Sequence, residues 1–290
     1  MKPFVDVLRE RELVIFDGAM GTQLEARGAP VGPAANLDAP DTVVAVHQSY
    51  LQAGATALLT NTLTANRLAQ GTEATGELVE RLNREGVRLC KKASEGRAYV
   101  VGDVGSTGHF LEPYGEYTEE QFFEVYMEQA RVLSEEGVDA IAIETMTDDR
   151  ELTIAIRACK EASGLPVIGL MSFDPVADGY RTMMGVSPAQ AAEAVVAAGA
   201  DAVGANCGTV GPMDVAEIVR AMKAVTDLPL MAEPNAGKPL LSGGVVTYTD
   251  ISVEEYANGC EAIVAAGATL IGGCCGTDPR HIAALAEKLG

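Results

Sequence analysis

Short, nearly continuous apolar runs alternate along the chain with longer stretches in which apolar residues recur every three or four positions. The short runs are LVIFDG (13–18), ALLTNT (57–62), YVVGDVG (99–105), AIAIET (140–145), PVIGLMSF (166–173), AVGANC (202–207), PLMAEPN (229–235) and TLIGGCC (269–275). Each is four to eight residues long, rich in β-branched side chains and apolar at consecutive positions. That pattern predicts parallel strands buried on both faces.

The longer stretches predict helices. TVVAVHQSYLQA (42–53) follows a cap candidate at Asp41, and EQFFEVYMEQARVLSEEG ends on Gly137, a helix stop. DDRELTIAIRACKEASG comes next; SPAQAAEAVVAAG has Ser187 as cap and Pro188 at the first helical position. DVAEIVRAMKAVTD, VEEYANGCEAIVAAG and PRHIAALAEKLG complete the series. The joint of helix end, glycine and strand recurs in EEGVDAI, AAGADAV and AAGATLI. Eight strand–helix units with no linker to divide them predict a single (β/α)8 TIM barrel over residues 1–290. A doubly wound open sheet is the alternative. In a barrel, chemistry gathers at the C-terminal ends of the strands. Those ends read Asp17, Asn61, Asp103, Glu144, Asp174, Asn206-Cys207, Glu233-Pro234-Asn235 and Cys274-Cys275.

Composition narrows the setting. The chain has 290 residues, 48% hydrophobic and 21% charged, as in soluble globular proteins. No apolar run is long enough to span a membrane, and the N-terminus, MKPFVDVLRERELVIFDG, has no apolar signal core. A cytoplasmic protein is expected. A formal net charge of −20 disfavours nucleic acid and anionic membranes as partners.

Of the six cysteines, Cys90, Cys159 and Cys260 lie in helical patterns and read as packing. Cys207 ends the sixth strand, and Cys274 and Cys275 end the eighth. These strands flank the seventh, so the three thiols can meet at the barrel mouth. Strand residues alternate faces. Both neighbours in Cys274-Cys275 therefore reach one ion only where the chain leaves the extended form, which Gly276 permits. Three thiolates suit zinc and leave a fourth position open, as in catalytic rather than structural sites. Closure by His281, a redox pair, or three unrelated buried cysteines are the alternatives. A thiol-rich zinc site is suited to activating a substrate thiol, which points to alkyl transfer onto sulfur.

DGAMGTQL (17–24), TNTLTANRLA (60–69), IETM (143–146), GANCG (204–208), AEPNAGKP (232–239) and GGCCGTDPRHI (272–282) run in order through the chain. With these segments the chain resembles the homocysteine S-methyltransferase family, most closely the homocysteine-binding module of cobalamin-dependent methionine synthases. The resemblance implies a zinc barrel that transfers methyl to L-homocysteine, giving methionine, with the metal-bound thiolate as nucleophile. It implies Cys207, Cys274 and Cys275 as zinc ligands. It also implies that the turn Asp17, Gly18, Ala19, Met20 and the carboxylate Glu144 hold the amino-acid end of homocysteine. Asn61, Asn206 and Asn235 are further substrate-site candidates; each can instead satisfy backbone groups at the rim. The Asn235 amide oxygen is also a candidate for the open zinc position before substrate arrives.

The methyl donor is expected to be a methylcorrinoid (methylcobalamin) carried by another protein or module. No GxGxxG or corrinoid D-x-H-x-x-G signature is present, so this chain alone is not expected to bind it. Betaine and S-methylmethionine are alternative donors. A betaine cage would draw on Tyr114, Tyr117 and Tyr180, since the chain has no tryptophan. Another thiol or selenol as acceptor, and a non-catalytic zinc- or thiol-binding barrel subunit, are the competing readings. The chain is expected to be either a stand-alone protein or one module of a longer one.

Overall fold

Residues 1–71, 74–237, 239–242, 245–248 and 251–290 are described by a computed structural model. Helix α1 (Phe4–Glu10) leads into β1 (Val14–Ile15), α2 (Met20–Ala26), α3 (Ala35–Asp38) and α4 (Pro40–Gln52). Then come β2 (Ala57–Leu59), α5 (Gly76–Ser94), β3 (Tyr99–Val104), α6 (Glu119–Glu135), β4 (Ala140–Met146), α7 (Asp149–Ser163) and β5 (Val167–Met171). A hairpin, β6 (Asp174–Val176) and β7 (Gly179–Arg181), precedes α8 (Pro188–Ala197), β8 (Ala202–Asn206), α9 (Pro212–Lys223) and β9 (Leu230–Glu233). A second hairpin, β10 (Pro239–Ser242) and β11 (Val245–Tyr248), precedes α10 (Val253–Ala265), β12 (Ala268–Ile271) and α11 (Pro279–Leu289).

Among the described residues, eight strands pair in parallel in the order β1-β12-β9-β8-β5-β4-β3-β2. The two ends of that order also meet. Phe16 bridges Ala57, Asp17 N–H donates to Ala57 O at 3.1 Å, and Thr56 N–H donates to Ile15 O at 2.7 Å. The sheet is therefore a closed (β/α)8 barrel, and all eight predicted strands are present in it.

The period of two along each strand sorts the core. Val14 and Phe16, Tyr99 and Val101, Ala140 and Ala142, and Ile168 and Leu170 fill the barrel interior with Ala202, Met231 and Leu270. Alternate residues such as Val100, Ile141, Ile143 and Val203 face the helical ring. Helix α1 closes the N-terminal end: Phe4, Val7 and Leu8 join the interior cluster, and the Phe4 ring lies edge-on to Phe16 and Tyr99.

Three local expectations are corrected. The first long predicted helix starts at Pro40, not Thr42; the cap position is Ala39, and Asp41 lies in the first turn. Proline at the first helical position fixes φ in the helical range and needs no N–H partner there, so it sets the start. β1 and β2 are shorter than the apolar runs suggested, because the Asp17 carboxylate, rather than a strand carbonyl, accepts the Leu59 N–H at 3.1 Å. The two antiparallel hairpins, in the loops after β5 and β9, were not anticipated. Helices α1, α2 and α3 have no counterpart in the predicted series; the other predicted helices are present, with the capping box of Ser187 and Gln190 on α8.

Candidate metal centre and amino-acid pocket

Cys207 follows β8, and Cys274 and Cys275 follow β12, on either side of β9. Their sulfur atoms form a triangle: Cys207 to Cys275 is 3.9 Å, Cys274 to Cys275 is 4.0 Å, and all three lie within 4.8 Å of one another. Tetrahedral zinc with zinc–sulfur bonds of about 2.3 Å places thiolates about 3.8 Å apart, so this triangle fits the ion. Two backbone departures produce it. Cys207 adopts φ 55°, a left-handed conformation uncommon outside glycine, held by its N–H donating to Glu233 O at 3.2 Å. After the cysteine pair the chain turns through Gly276 at φ 79°.

The thiols are crowded. A hydrogen bond with Cys274 favours ionisation of Cys207, but contact with Cys275 and burial outweigh it and push its pKa up to about 12. Contacts with Cys207 and Cys275, then burial, hold Cys274 well above the ordinary thiol range. A divalent cation held by the three sulfurs would supply the missing positive charge.

Beside the triangle lies a cavity of about 320 Å³. Cys274 and Cys275 form one wall, the turn Asp17–Thr22 another, and Asp103, Glu144 and Glu233 the floor. Neither lysine nor arginine lines it among the described residues. Strand parity explains the floor: continuing the interior positions of β3, β4, β8 and β9 beyond their apolar residues gives Asp103, Glu144, Asn206 and Glu233. Burial pushes Glu144 up to about 7, with help from Asp17 and Cys275 and against a hydrogen bond with Asp103. Burial and the neighbouring Glu144 hold Asp103 and Glu233 well above the usual carboxylate range. Asp17 is also raised by burial, partly offset by His47, whose Nδ1 is 3.8 Å away. Crowded carboxylates without a cation favour protons; an ammonium group entering the cavity meets several acceptors.

The homocysteine S-methyltransferase family matches the chain over residues 14–289. The chain belongs to the homocysteine S-methyltransferase family. Within it, the chain is 29% identical to methionine synthase of Mycobacterium tuberculosis over 98% of its own length, but spans only 25% of that protein. It is 30% identical to mouse betaine–homocysteine S-methyltransferase 1, over 99% of this chain and 75% of the mouse protein. The metallated form of the homocysteine methyltransferase MmuM from Escherichia coli superposes with a TM-score of 0.80 at 25% identity, covering 99% of this chain and all of the other.

Seen as a homocysteine S-methyltransferase site, the residues named from sequence divide by what they touch. Asn206 is a brace: its amide donates to Glu144 at 2.6 Å and Thr145 Oγ1 at 2.9 Å, and its oxygen accepts the Thr145 N–H at 2.8 Å. Thr145 sits at φ 59°, so Asn206 supports a strained, β-branched residue beside Glu144. Asn61 lines the cavity, yet donates to Gly32 O and Asn36 Oδ1, both at 2.9 Å. Asn235 donates to Gly208 O at 2.8 Å, while its buried oxygen has no hydrogen-bond partner among the described residues. In the turn, Gly18, Ala19 and Met20 all line the cavity, but the Ala19 N–H is taken, donating to Thr277 Oγ1 at 3.0 Å.

His281 caps α11, its Nδ1 accepting the Asp278 N–H at 3.2 Å. Cys90, Cys159 and Cys260 are buried in α5, α7 and α10. Tyr114 is exposed, Tyr117 packs on His109, and Tyr180 donates to Asp214 and Glu217; none lines the cavity. Sequence reasoning placed Asp103 and Glu233 at strand ends without giving them a role; strand parity was the available signal. His47, Tyr50 and Thr277 went unassigned because nothing local marks them.

Proposed function

We propose that this chain holds zinc through Cys207, Cys274 and Cys275 and transfers a methyl group to the sulfur of L-homocysteine, giving methionine. The observation that carries this reading is the sulfur triangle, with metal-thiolate spacing, opening onto a small cavity floored by buried carboxylates. Zinc bound there supplies positive charge that favours the thiolate form of a substrate thiol near neutral pH. The chain's own groups do the rest. Asp17 and Glu144 receive the ammonium group, with Asp103 and Glu233 behind them, and backbone N–H groups of the Asp17–Met20 turn receive the carboxylate. Because the Ala19 N–H is already engaged, its neighbours carry that contact. Held at this end, the substrate directs its sulfur to the open side of the triangle, and the floor excludes bulk water from it. Before substrate arrives, the Asn235 oxygen would be the chain's own candidate for the open metal position; what supports this is that it is buried with no hydrogen-bond partner among the described residues, on a segment whose Ala236 N–H donates to Cys275 O at 3.0 Å.

The donor we favour is a methylcorrinoid, methylcobalamin, presented by another protein or module. Support comes from the methionine synthase likeness and from a cavity lining that, among the described residues, includes no aromatic residue for caging a quaternary ammonium. A methyl-transfer assay on homocysteine tests both parts by comparing free methylcobalamin, a methylated corrinoid protein, betaine and S-methylmethionine. Methionine is expected from the corrinoid donors and not from protein stripped of zinc. Transfer from betaine or S-methylmethionine alone would overturn the donor assignment, and transfer that survives zinc removal would overturn the mechanism.

A further inference from the structure

Thr277 is completely buried between the metal-binding turn and the amino-acid turn, and it bonds to both. Its hydroxyl donates to Cys274 O at 2.7 Å and accepts the Ala19 N–H at 3.0 Å. A hydroxyl has one proton, so these two bonds fix its direction. Its carbonyl accepts from the Tyr50 hydroxyl at 3.3 Å, and that hydroxyl also reaches Ala19 O at 2.9 Å. Burial, together with the nearby Asp17 and Asp278 carboxylates, raises the Tyr50 pKa, so it remains a donor. Ala19 is thus held through both its N–H and its C=O. The surroundings leave no slack: a Cβ built on Gly273 would lie 2.7 Å from the Thr277 side chain, and one on Gly18 would lie 2.7 Å from Thr277 Oγ1.

We propose that Thr277 is a positioning residue that couples occupancy of the amino-acid site to the grip of the cysteine triangle on its metal. The inference rests on the reading that the Asp17–Met20 turn receives homocysteine and the cysteines hold zinc. A substrate that orders the Asp17–Met20 turn orders Thr277, and Thr277 orders the carbonyl of Cys274, one residue from Cys275. The coupling is reciprocal: a metal-ordered Cys274 turn presents a better-formed amino-acid site.

The test uses L-2-aminobutyrate, which carries the amino-acid end of homocysteine without its thiol. Zinc release from the loaded protein to a chromophoric chelator is followed with and without this compound, with glycine as the control for chelation by a free amino acid. In the unaltered protein, aminobutyrate is expected to slow release about tenfold, within the usual range of site-to-site coupling. Thr277→Ser keeps both hydroxyl bonds and is expected to retain the slowing. Thr277→Val keeps the shape, loses both bonds, and is expected to release zinc at one rate with or without aminobutyrate. Tyr50→Phe, which removes only the second tie, is expected to reduce the slowing and serves if the valine variant does not fold. Equal slowing in all variants, or none in the unaltered protein, overturns the coupling while leaving the proposed function standing. A protein that binds no zinc overturns both.

Discussion

Glu144 shows how much a single position depends on its surroundings. Burial pushes it up to about 7, yet in its proposed role as acceptor for the homocysteine ammonium it would have to be ionised. Homocysteine binding is therefore expected to strengthen as pH rises from 6 to 8, read as a falling KM. Glu144→Gln should raise KM and weaken that dependence, leaving the part carried by Asp17, Asp103 and Glu233. The stability effect has the opposite sign. A carboxyl whose folded pKa lies above its unfolded value stabilises most below the unfolded value and loses that contribution as pH rises through the folded one. The metal-free protein is therefore expected to lose stability between about pH 4.5 and 7, less steeply in Glu144→Gln, as measured by thermal melts across pH. The cysteines give a sharper residue-level result: Cys207→Ala should abolish stoichiometric zinc binding and methyl transfer while circular dichroism still reports the fold. These three ligand candidates were legible in sequence because cysteine at a strand end is rare chemistry. Thr277 was not, because a threonine before Asp278-Pro279 reads locally as part of a helix start.

At the scale of elements, β4, β8 and β9 work as a group. The register that pairs Asn206 with Glu233 also brings the Asn206 side chain to Glu144 and Thr145. Removing that side chain withdraws two hydrogen bonds to a left-handed threonine, one to Glu144 and a longer one to Cys274 Sγ at 3.9 Å. Asn206→Ala is therefore expected to destabilise the protein by about 3 kcal/mol, measured by chemical denaturation, and to raise KM for homocysteine through a misplaced Glu144. The sequence made the strands visible through their apolar continuity, and parity pointed inward at their polar ends. It could not show that β1 and β2 would stop early, because a carboxylate from one strand replaces a ladder bond of the other. Nor did it reveal the two hairpins, whose strands are only three or four residues long, too short to show a period of their own.

The whole molecule separates stability from chemistry along the barrel axis. Helix α1 plugs one end with Phe4, Val7 and Leu8, and the cysteine and carboxylate groups occupy the other. Phe4→Ala is expected to cost about 3–5 kcal/mol and lower the melting temperature, with KM for homocysteine and zinc content unchanged at temperatures where the variant is folded. A rise in KM would show that the two ends communicate. Among the described residues, no helix is long and apolar enough to cross a membrane.

By itself the sequence determined the eightfold strand–helix plan and the chemical character of the strand ends. Those properties are local: period, capping residues and glycine stops act over a few positions. The tertiary structure decided which of those ends meet. The sulfur triangle joins positions 207, 274 and 275, the carboxylate floor joins positions 103, 144 and 233, and the pin at Thr277 joins it to Ala19 and Tyr50. Closure of the barrel sets these meetings, because strand register fixes how high each residue stands at the mouth, and no local pattern encodes the register between distant strands.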